Sequence, residues 1–279
     1  MSAELPSTLR FEHEAMNTTF GLRLQHPDPG SAAGIAHQCF ELLDRLEGKL
    51  SRYIEDSDIS RINTMQAGET LYLTEETHAC LLRAFDYHAR TGGLFDITLG
   101  RPIEHRKNPS NTSSPTVEGS LVIHPDTPAV TCQEPGRELD LGGIGKGFAL
   151  DQLKEHLAVW GVEAGLLSAG ASTQLAFGGL DWPVDLTGGN ETFRITLRDA
   201  ALSASGTGIQ GSHIVHPDGD RIPLPWKHVW LTASNATAAD VWSTTVMLLT
   251  ENEVLQVPGQ IEEVLSLHVE DDTGIRLID

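Results

Sequence analysis

The chain has 279 residues, of which 39% are hydrophobic, and carries 39 aspartates and glutamates against 19 lysines and arginines. The resulting net charge of −20 argues against a nucleic-acid partner, because contacts to a phosphate backbone depend on lysine and arginine. No apolar run approaches the roughly eighteen residues of a transmembrane helix, so we expect no direct membrane insertion. The length is sufficient for a large core, in one large domain or two closely packed lobes.

The N-terminal segment and the cysteines bear on the cellular compartment. Residues 1–10 have no basic start, no apolar stretch and no lipid-acceptor cysteine. Cys39, Cys80 and Cys132 leave one cysteine unpaired under any pairing and have no metal-binding spacing, which favours a reducing compartment. We therefore expect a soluble cytoplasmic enzyme, or a periplasmic one if a leader has been removed.

The predicted elements of the first half begin with two helices. Apolar residues at three-to-four spacing predict helices over residues 31–50 and 74–91. The polar, turn-rich segment 104–120 predicts a mobile surface loop, which would also suit a lid. Short strands are predicted at 121–124 and 129–132.

The second half begins with a local pattern of strand, helix and strand, and further strands follow. Residues 138–141 lead into a glycine-rich turn, 151–160 read as a crossover helix and 165–168 as a strand, which is a local β-α-β pattern. Several strand-like runs lie between 182 and 217, and a last strand is expected at 261–269. We predict an α+β fold with mainly antiparallel sheets flanked by helices.

The most informative stretch is the glycine-rich turn, Asp140-Leu-Gly-Gly-Ile-Gly-Lys-Gly-Phe-Ala-Leu-Asp151. The main chain of such a turn approaches a phosphate or a metal without a Cβ in the way, and a helix N-terminus favours an anion. The stretch is neither a P-loop nor a dinucleotide fingerprint, since Phe148 stands where the fingerprint needs its third glycine. A purely structural turn is the alternative.

A second stretch, residues 236–249, follows Ser234 and Asn235, which both suit the start of a helix. It places Asp240 and Thr244 one turn apart on one helix face. This carboxylate and hydroxyl are hard oxygen ligands suited to Mg²⁺, which keeps waters and phosphate oxygens at its other positions. The alternative is an exposed aspartate with a threonine that bonds back to its own helix.

A third stretch is a small-residue turn followed by a short apolar strand with a histidine at each end. His213 and His216 would point to opposite faces of that strand, so we do not expect them to share one metal. Two roles stay open for each, a ligand-facing group or a hydrogen-bonded structural or surface residue.

Together these residues resemble the ApbE-type FAD:protein FMN transferases, formerly described as thiamine-biosynthesis lipoproteins. Each match alone is weak, but the ordered set is specific and spans residues 16 to 249. The five landmarks are Met16-Asn-Thr18, Ser51-Arg-Tyr53 with Ser57-Asp-Ile-Ser-Arg-Ile-Asn63, Gly93-Leu-Phe-Asp96-Ile-Thr98-Leu-Gly100, Leu139-Asp-Leu-Gly-Gly-Ile-Gly-Lys-Gly147, and Ala239-Asp240 with Thr244.

The resemblance implies an enzyme that depends on Mg²⁺, with Mn²⁺ as the other candidate. Such an enzyme binds FAD, cleaves its pyrophosphate and moves FMN onto a Ser or Thr hydroxyl of an acceptor protein, with release of AMP. It also implies a mainly antiparallel α+β fold. The need for a cation agrees with the acidic composition, because the FAD pyrophosphate is itself anionic.

The resemblance also implies the metal site. Its ligands would be the side chains of Asp240 and Thr244 and the backbone carbonyl of Gly145, a position where alanine is common in the family. Lys146 and Asp140 would position the turn or the phosphates. A structural salt bridge is the alternative for Lys146.

The remaining implied roles concern the flavin and the acceptor. His213, catalytic together with Asp240, would take the proton from the incoming hydroxyl or orient the acceptor. The flavin and adenosine contacts would come from Met16, Tyr53, Asp96, Thr98, Ser168 and Thr207. For Met16, the alternative to a flavin contact is packing in the core.

Several departures from the family pattern leave other functions open. His216 replaces the usual aspartate, Asn17 replaces a glycine, Ala171 stands where a double glycine is typical, and the loop 206–213 is short. These changes would tune acceptor choice or mark a chain that binds FAD and transfers poorly. The alternatives are an FAD pyrophosphatase that releases FMN and AMP, a flavin carrier without turnover, and a fold element of an unrelated protein.

Overall fold

The computed structural model describes residues 8–108, 115–189, 191–206, 215–217 and 226–278. Two compact units make up the chain. The larger unit comprises Met1–Asp44, Lys146–Ile209 and Leu224–Asp279, and the smaller unit comprises Arg45–Gly145 and Gln210–Pro223. In the described part of the chain, no helix combines the length and the apolar character needed to cross a bilayer.

Helices and strands are interspersed along the chain, with six consecutive strands among the described residues from 164 to 233. The strands are β1 (Leu9–Ala15), β2 (Thr18–Gln25), β3 (Thr70–Tyr72), β4 (Ser120–Ile123), β5 (Ala129–Glu134), β6 (Ala164–Ala169), β7 (Thr173–Phe177), β8 (Trp182–Thr187), β9 (Thr192–Leu197), β10 (Ala201–Gly206), β11 (His228–Ala233), β12 (Val264–Asp271) and β13 (Gly274–Ile278). The helices are α1 (Pro29–Leu50), α2 (Asp58–Asn63), α3 (Glu75–Arg90), α4 (Gly100–Lys107), α5 (Gly145–Val159), α6 (Ala236–Val246), α7 (Glu251–Val254) and α8 (Val257–Gln260).

An eight-stranded antiparallel sheet organises the larger unit, in the order β1-β2-β6-β7-β10-β11-β12-β13. The hairpin β8–β9 belongs to the same unit. The smaller unit holds a three-stranded antiparallel sheet in the order β3-β5-β4. The predicted α+β class with mainly antiparallel sheets is confirmed.

Strand residues alternate between the two faces of the large sheet. On the face that we call the helix face, Ser203 of β10 contacts Asp240 of α6. On the opposite face, which we call the hairpin face, Leu166, Leu202 and Trp230 form one buried cluster with residues of β8 and β9. The sheet therefore separates two environments, one facing α6 and one facing the hairpin.

A tight turn joins β1 to β2. Met16 and Asn17 have φ angles of 50° and 57°, between the paired residues Ala15 and Thr18. Two successive left-handed residues are typical of the type I′ hairpin turn, and asparagine tolerates this conformation well. The departure at Asn17 is thus accommodated by the turn. Met16 is the strained residue, at a cost of about 1–2 kcal/mol.

Local sequence explains the helices that were predicted in the first half. Thr74 begins α3, with its hydroxyl accepting from the Thr77 amide, and Glu75 and Glu76 follow in the first turn. Helix α1 ends at Leu50, directly before Ser51. The helices predicted over 31–50 and 74–91 are confirmed to within about two residues.

Other predictions differ from the structure. The start of the predicted loop 104–120 is helical in α4, and residues 109–114 lie outside the described residues. The predicted β-α-β pattern is wrong, because β5 belongs to the three-stranded sheet and β6 pairs antiparallel with both of its neighbours in the large sheet. Residues 138–141 form no strand beyond one bridge between Leu99 and Glu138. Helix α5 begins at Gly145 rather than at 151.

All three cysteines are buried and free of disulfides. Burial raises the pKa of the Cys39 and Cys80 thiols to about 12, because a thiolate is disfavoured away from water. These thiols remain protonated at neutral pH and behave as small apolar side chains.

Candidate functional site

The N-terminus of α6 is held by two side chains. Asn235 is the N-cap, since its side-chain oxygen accepts from the Ala238 amide at 2.8 Å. Asp151, on α5, accepts from the Ala236 and Thr237 amides at 2.9 Å each. The first three amides of α6 therefore have acceptors, and Asp151 ties α6 to α5.

Gly147 lies at a close contact between α5 and α6. A Cβ at this position would overlap the Ala236 carbonyl oxygen and lie 2.9 Å from the Asp240 Cβ. The Gly147 amide donates to Asp240 Oδ2 at 3.0 Å. Gly147 and Asp151 are one turn apart on α5, as are Ala236 and Asp240 on α6. The crossing of the two helices thus fixes the Asp240 carboxylate.

Asp240 is a buried carboxylate, 4% exposed. From the described residues, its side chain accepts one further hydrogen bond besides that of the Gly147 amide, a long one of 3.4 Å from the Ser203 hydroxyl to Oδ1. Among the described residues, no lysine, arginine or histidine pairs with it within 4.0 Å. Burying an ionised carboxylate without a cation is costly, so the donor set fits a bound metal ion.

Neutral hydroxyls surround Asp240 on the helix face. The Ser243 hydroxyl lies 3.1 Å from the Asp240 backbone carbonyl oxygen and 3.2 Å from the Ser203 hydroxyl, and its single proton serves one of the two at a time. Thr173 lies 3.3 Å from Ser203, and Ser205 lies 3.0 Å from Ser243. This hydroxyl cluster fixes the Asp240 side chain without neutralising its charge.

Thr244 lies one turn beyond Asp240 and is half-buried. Its hydroxyl donates to the Asp240 backbone carbonyl at 3.1 Å. Thr244 therefore bonds back to its own helix, as the alternative interpretation of this threonine expected. The donated proton leaves the oxygen lone pairs able to bind a cation. Within the described ranges no three His, Cys, Asp or Glu side chains form a metal cluster. Asp240 and Thr244 together suit Mg²⁺, because this ion commonly uses few protein ligands together with substrate phosphates.

Lys146 and Gly145 occupy the first turn of α5. Lys146 is half-buried and has no ion pair or side-chain hydrogen bond with the residues that the structure describes, so the salt-bridge alternative is not found there. Among the described residues, a Cβ on Gly145 would meet Leu141 Cβ alone, at 3.9 Å. The backbone at 145 therefore tolerates alanine.

In the smaller unit, Arg52 holds the glycine-rich turn. Its guanidinium donates to the Gly100 carbonyl and to Glu138, each at 2.8 Å, and to Asp140 Oδ2 at 3.3 Å. Asp140 Oδ1 accepts from the Gly142 amide at 2.8 Å. Both oxygens of Asp140 thus have partners within the protein, and the residue shapes the turn.

Asp96, Thr98 and Tyr53 also lie in the smaller unit. Asp96 Oδ1 accepts from the amide and the hydroxyl of Thr98, and Arg137 donates to that hydroxyl at 2.6 Å. Tyr53 is 66% exposed, and the Lys107 ammonium lies 3.1 Å from its hydroxyl. The Tyr53 ring is accessible to a ligand, whereas Asp96 and Thr98 form a locally satisfied turn.

The other implied contacts are placed differently. Ser168 pairs with Gly21 and Gln174 on the hairpin face, opposite to Asp240, so the structure does not bring Ser168 to the carboxylate. Met16 lies half-buried in the β1–β2 turn. His216 is buried in the smaller unit. His213 and Thr207 lie outside the described residues.

Three important residues were not assigned a role from the sequence. Asp151 closes the glycine-rich stretch, Arg52 lies inside a landmark of the family, and Ser203 begins the small-residue turn. Each acts through a partner far along the chain, which local spacing does not reveal. Asp151 and Ser203 are buried and Arg52 is partly buried, and the burial of a polar residue cannot be read from a single sequence position.

Replacing Gly147 by alanine is expected to force α5 and α6 apart, because the new methyl overlaps the Ala236 carbonyl. Overpacking of this kind costs about 1–3 kcal/mol and displaces Asp240. Urea unfolding of Gly147→Ala measures the cost. Gly145→Ala is the matched control, with free space for its methyl. Equal stability of the two variants would contradict the close helix crossing.

Comparison with known proteins identifies relatives over nearly the whole chain. The model of the ApbE family matches residues 16–265. A Vibrio cholerae FAD:protein FMN transferase is 22% identical over 300 residues, which cover 94% of this chain and 87% of the relative. The FAD:protein FMN transferase of Escherichia coli K12 is 23% identical over 281 residues, covering 88% and 80% of the two chains.

Solved structures show the same fold. The flavin transferase ApbE from Vibrio cholerae superposes with a TM-score of 0.80 at 20% identity, covering 97% of this chain and 96% of that one. The ApbE protein from Thermotoga maritima gives a TM-score of 0.82 at 20% identity, with 98% and 97% covered.

Proposed function

Because this chain belongs to the ApbE family, we propose that it is an FAD:protein FMN transferase, which moves FMN from FAD to a hydroxyl of an acceptor protein. The main structural support is Asp240, a carboxylate that is buried, fixed by the Gly147 amide and left without a cationic partner among the described residues. A flavin carrier without turnover has little use for such a group.

We propose that the site takes Mg²⁺, with Mn²⁺ as a substitute. Asp240 and Thr244 would hold the ion, and the family resemblance adds the backbone carbonyl of Gly145. When bound, the ion supplies positive charge that offsets the negative charge of the pyrophosphate. Lys146, which has no partner among the described residues, would bind a phosphate oxygen.

The proposed reaction is a phosphoryl transfer. The acceptor hydroxyl oxygen of a Ser or Thr bonds to the FMN phosphorus, and the bond from that phosphorus to the bridging oxygen breaks. AMP leaves with the bonding electrons. The hydroxyl proton passes to a base, for which we propose His213. Met16, Tyr53, Asp96, Thr98 and Thr207 stay predicted contacts of FAD, and Ser168 would have to contribute from the hairpin face.

Product analysis tests this function. The purified protein is incubated with FAD and Mg²⁺, with and without an acceptor domain that carries the target hydroxyl. Covalent flavin on the acceptor, with an equal amount of AMP, is the expected result. Free FMN and AMP in the absence of acceptor would instead identify an FAD pyrophosphatase, and intact FAD in both reactions would exclude catalysis.

The variant His213→Ala is expected to lower the transfer rate by about 10²–10⁴-fold while FAD affinity is kept, since a base acts in the chemical step. Initial rates at saturating FAD, together with a pH profile, measure the effect. His37→Ala, which removes an exposed histidine of α1, serves as the control. A wild-type rate in His213→Ala would remove this histidine from the mechanism.

A further inference from the structure

A cavity of about 220 Å³ lies over β1, β2, β6 and β7. Of the described residues proposed to bind FAD or the metal, Ser168 alone lines it. The polar residues that line it are Arg10, Glu12, Gln174, Arg23 and Ser168, with Gly21 at its floor.

The cavity is on the hairpin face, away from Asp240. Gly21 pairs with Ser168, and Ser168 pairs with Gln174, so the three share one face. Gln174 pairs in turn with Leu202, which belongs to the buried cluster under the hairpin. The neighbouring Thr173 and Ser203 point to the helix face, where the hydroxyl cluster holds Asp240. A ligand here would therefore be separated from Asp240 by the sheet.

Two arginines on adjacent strands line this cavity. Arg10 and Arg23 are directly opposed on β1 and β2, a placement that is unfavourable for like charges. Partial burial and the charge of Arg10 lower the pKa of the Arg23 guanidinium, while Glu12 acts in the opposite direction. Within the described residues, neither arginine has a carboxylate within 4.0 Å. The repulsion is thus incompletely offset, in a chain whose net charge is −20.

Uncommitted hydrogen-bond donors complete the lining. The Ser168 hydroxyl and the Gln174 amide make no side-chain hydrogen bond to the described residues. Glycine at 21 keeps that hydroxyl uncovered, since a Cβ at this position would lie 2.6 Å from Ser168 Oγ. A larger residue at 21 would fill the floor of the cavity.

We propose that this cavity binds a small oxyanion, a phosphate or carboxylate group, between Arg10 and Arg23. Guanidinium groups bind both anions through paired hydrogen bonds. Ser168 and Gln174 would donate further hydrogen bonds, and Glu12 limits the net positive charge of the site. The proposal does not require flavin transfer, although it shares Ser168 with the predicted FAD contacts.

Amide NMR titration of the full chain with inorganic phosphate at constant ionic strength tests the site, and acetate forms a second arm. We expect saturable shifts of the Gly21, Ser168 and Gln174 amides at about millimolar concentration. Saturation by phosphate alone would assign a phosphoryl ligand, and saturation by both anions a general oxyanion site. Shifts that stay linear in both arms would overturn the proposal.

Variants sharpen the test. Arg23→Gln is expected to weaken phosphate binding by about 10-fold or more, because it removes a charged hydrogen-bond donor. It also relieves the repulsion from Arg10, so folding is not at risk. Arg194→Gln is the matched control, because Arg194 is already paired with Asp185. An unchanged affinity in Arg23→Gln would refute the site. Asp240→Asn should leave phosphate binding unchanged, which separates this test from that of flavin transfer.

Discussion

Replacing Asp240 by asparagine is expected to reduce the rate of FMN transfer on the order of 10³-fold, equivalent to about 4 kcal/mol of transition-state stabilisation. The reason is the loss of the one buried negative charge that the site offers to a divalent cation. The asparagine oxygen still accepts from the Gly147 amide, so the fold is kept. Steady-state rates over a range of Mg²⁺ concentrations measure the loss.

Two further measurements separate charge from structure in this variant. Mn²⁺ binding, followed by electron paramagnetic resonance in the presence of FAD, should weaken together with activity. Asp126→Asn removes the same charge at an exposed position and should have no effect on either quantity. If Asp240→Asn bound Mn²⁺ and transferred FMN as the wild type does, the proposed metal site would be wrong.

The variant Asp151→Ala is expected to lower the free energy of unfolding by about 3 kcal/mol. Asp151 is buried and accepts from the amides of Ala236 and Thr237, which alanine would leave without acceptors. Each buried amide that loses its partner costs about 1–3 kcal/mol. Urea unfolding, monitored by tryptophan fluorescence and by circular dichroism, measures the change.

This prediction has two controls. One is a substitution elsewhere on α5, and the other is a milder substitution of Asp151 itself. Glu155→Ala, at an exposed position of α5, should change stability by no more than about 0.5 kcal/mol. Asp151→Asn keeps one acceptor oxygen and should be intermediate between wild type and alanine. A loss in Asp151→Ala no larger than that in Glu155→Ala would show that α6 does not depend on this cap.

Sequence reasoning succeeded where the determining interactions are local. The spacing of apolar residues predicted α1 and α3, and of the two candidate caps of α6, Ser234 and Asn235, the structure uses Asn235. The same helix period placed Asp240 and Thr244 on one face, and the structure joins them through a hydrogen bond within α6. Periods and caps extend over a few residues, which is why they are readable from one sequence.

The remaining features depend on pairing between distant segments. A helix followed by a strand was interpreted as a parallel crossover, but strand neighbours in a sheet are chosen by non-local packing, and β6 pairs with β2 and β7. The start of α5 was missed because glycine is a poor helix former, and packing of Gly147 against α6 outweighs that propensity. Ser168 was grouped with the flavin contacts, although strand alternation directs it away from Asp240.

The two outermost strands of the large sheet bear on how this protein behaves when concentrated. Strand β1 presents Arg10, Glu12 and Glu14 at alternate exposed positions, and β13 carries Arg276. Unpaired edges invite strand addition from other molecules, and charged side chains along an edge oppose it. The mixed charges of β1 thus oppose strand addition at this edge of the folded protein, and the overall acidity adds repulsion between copies.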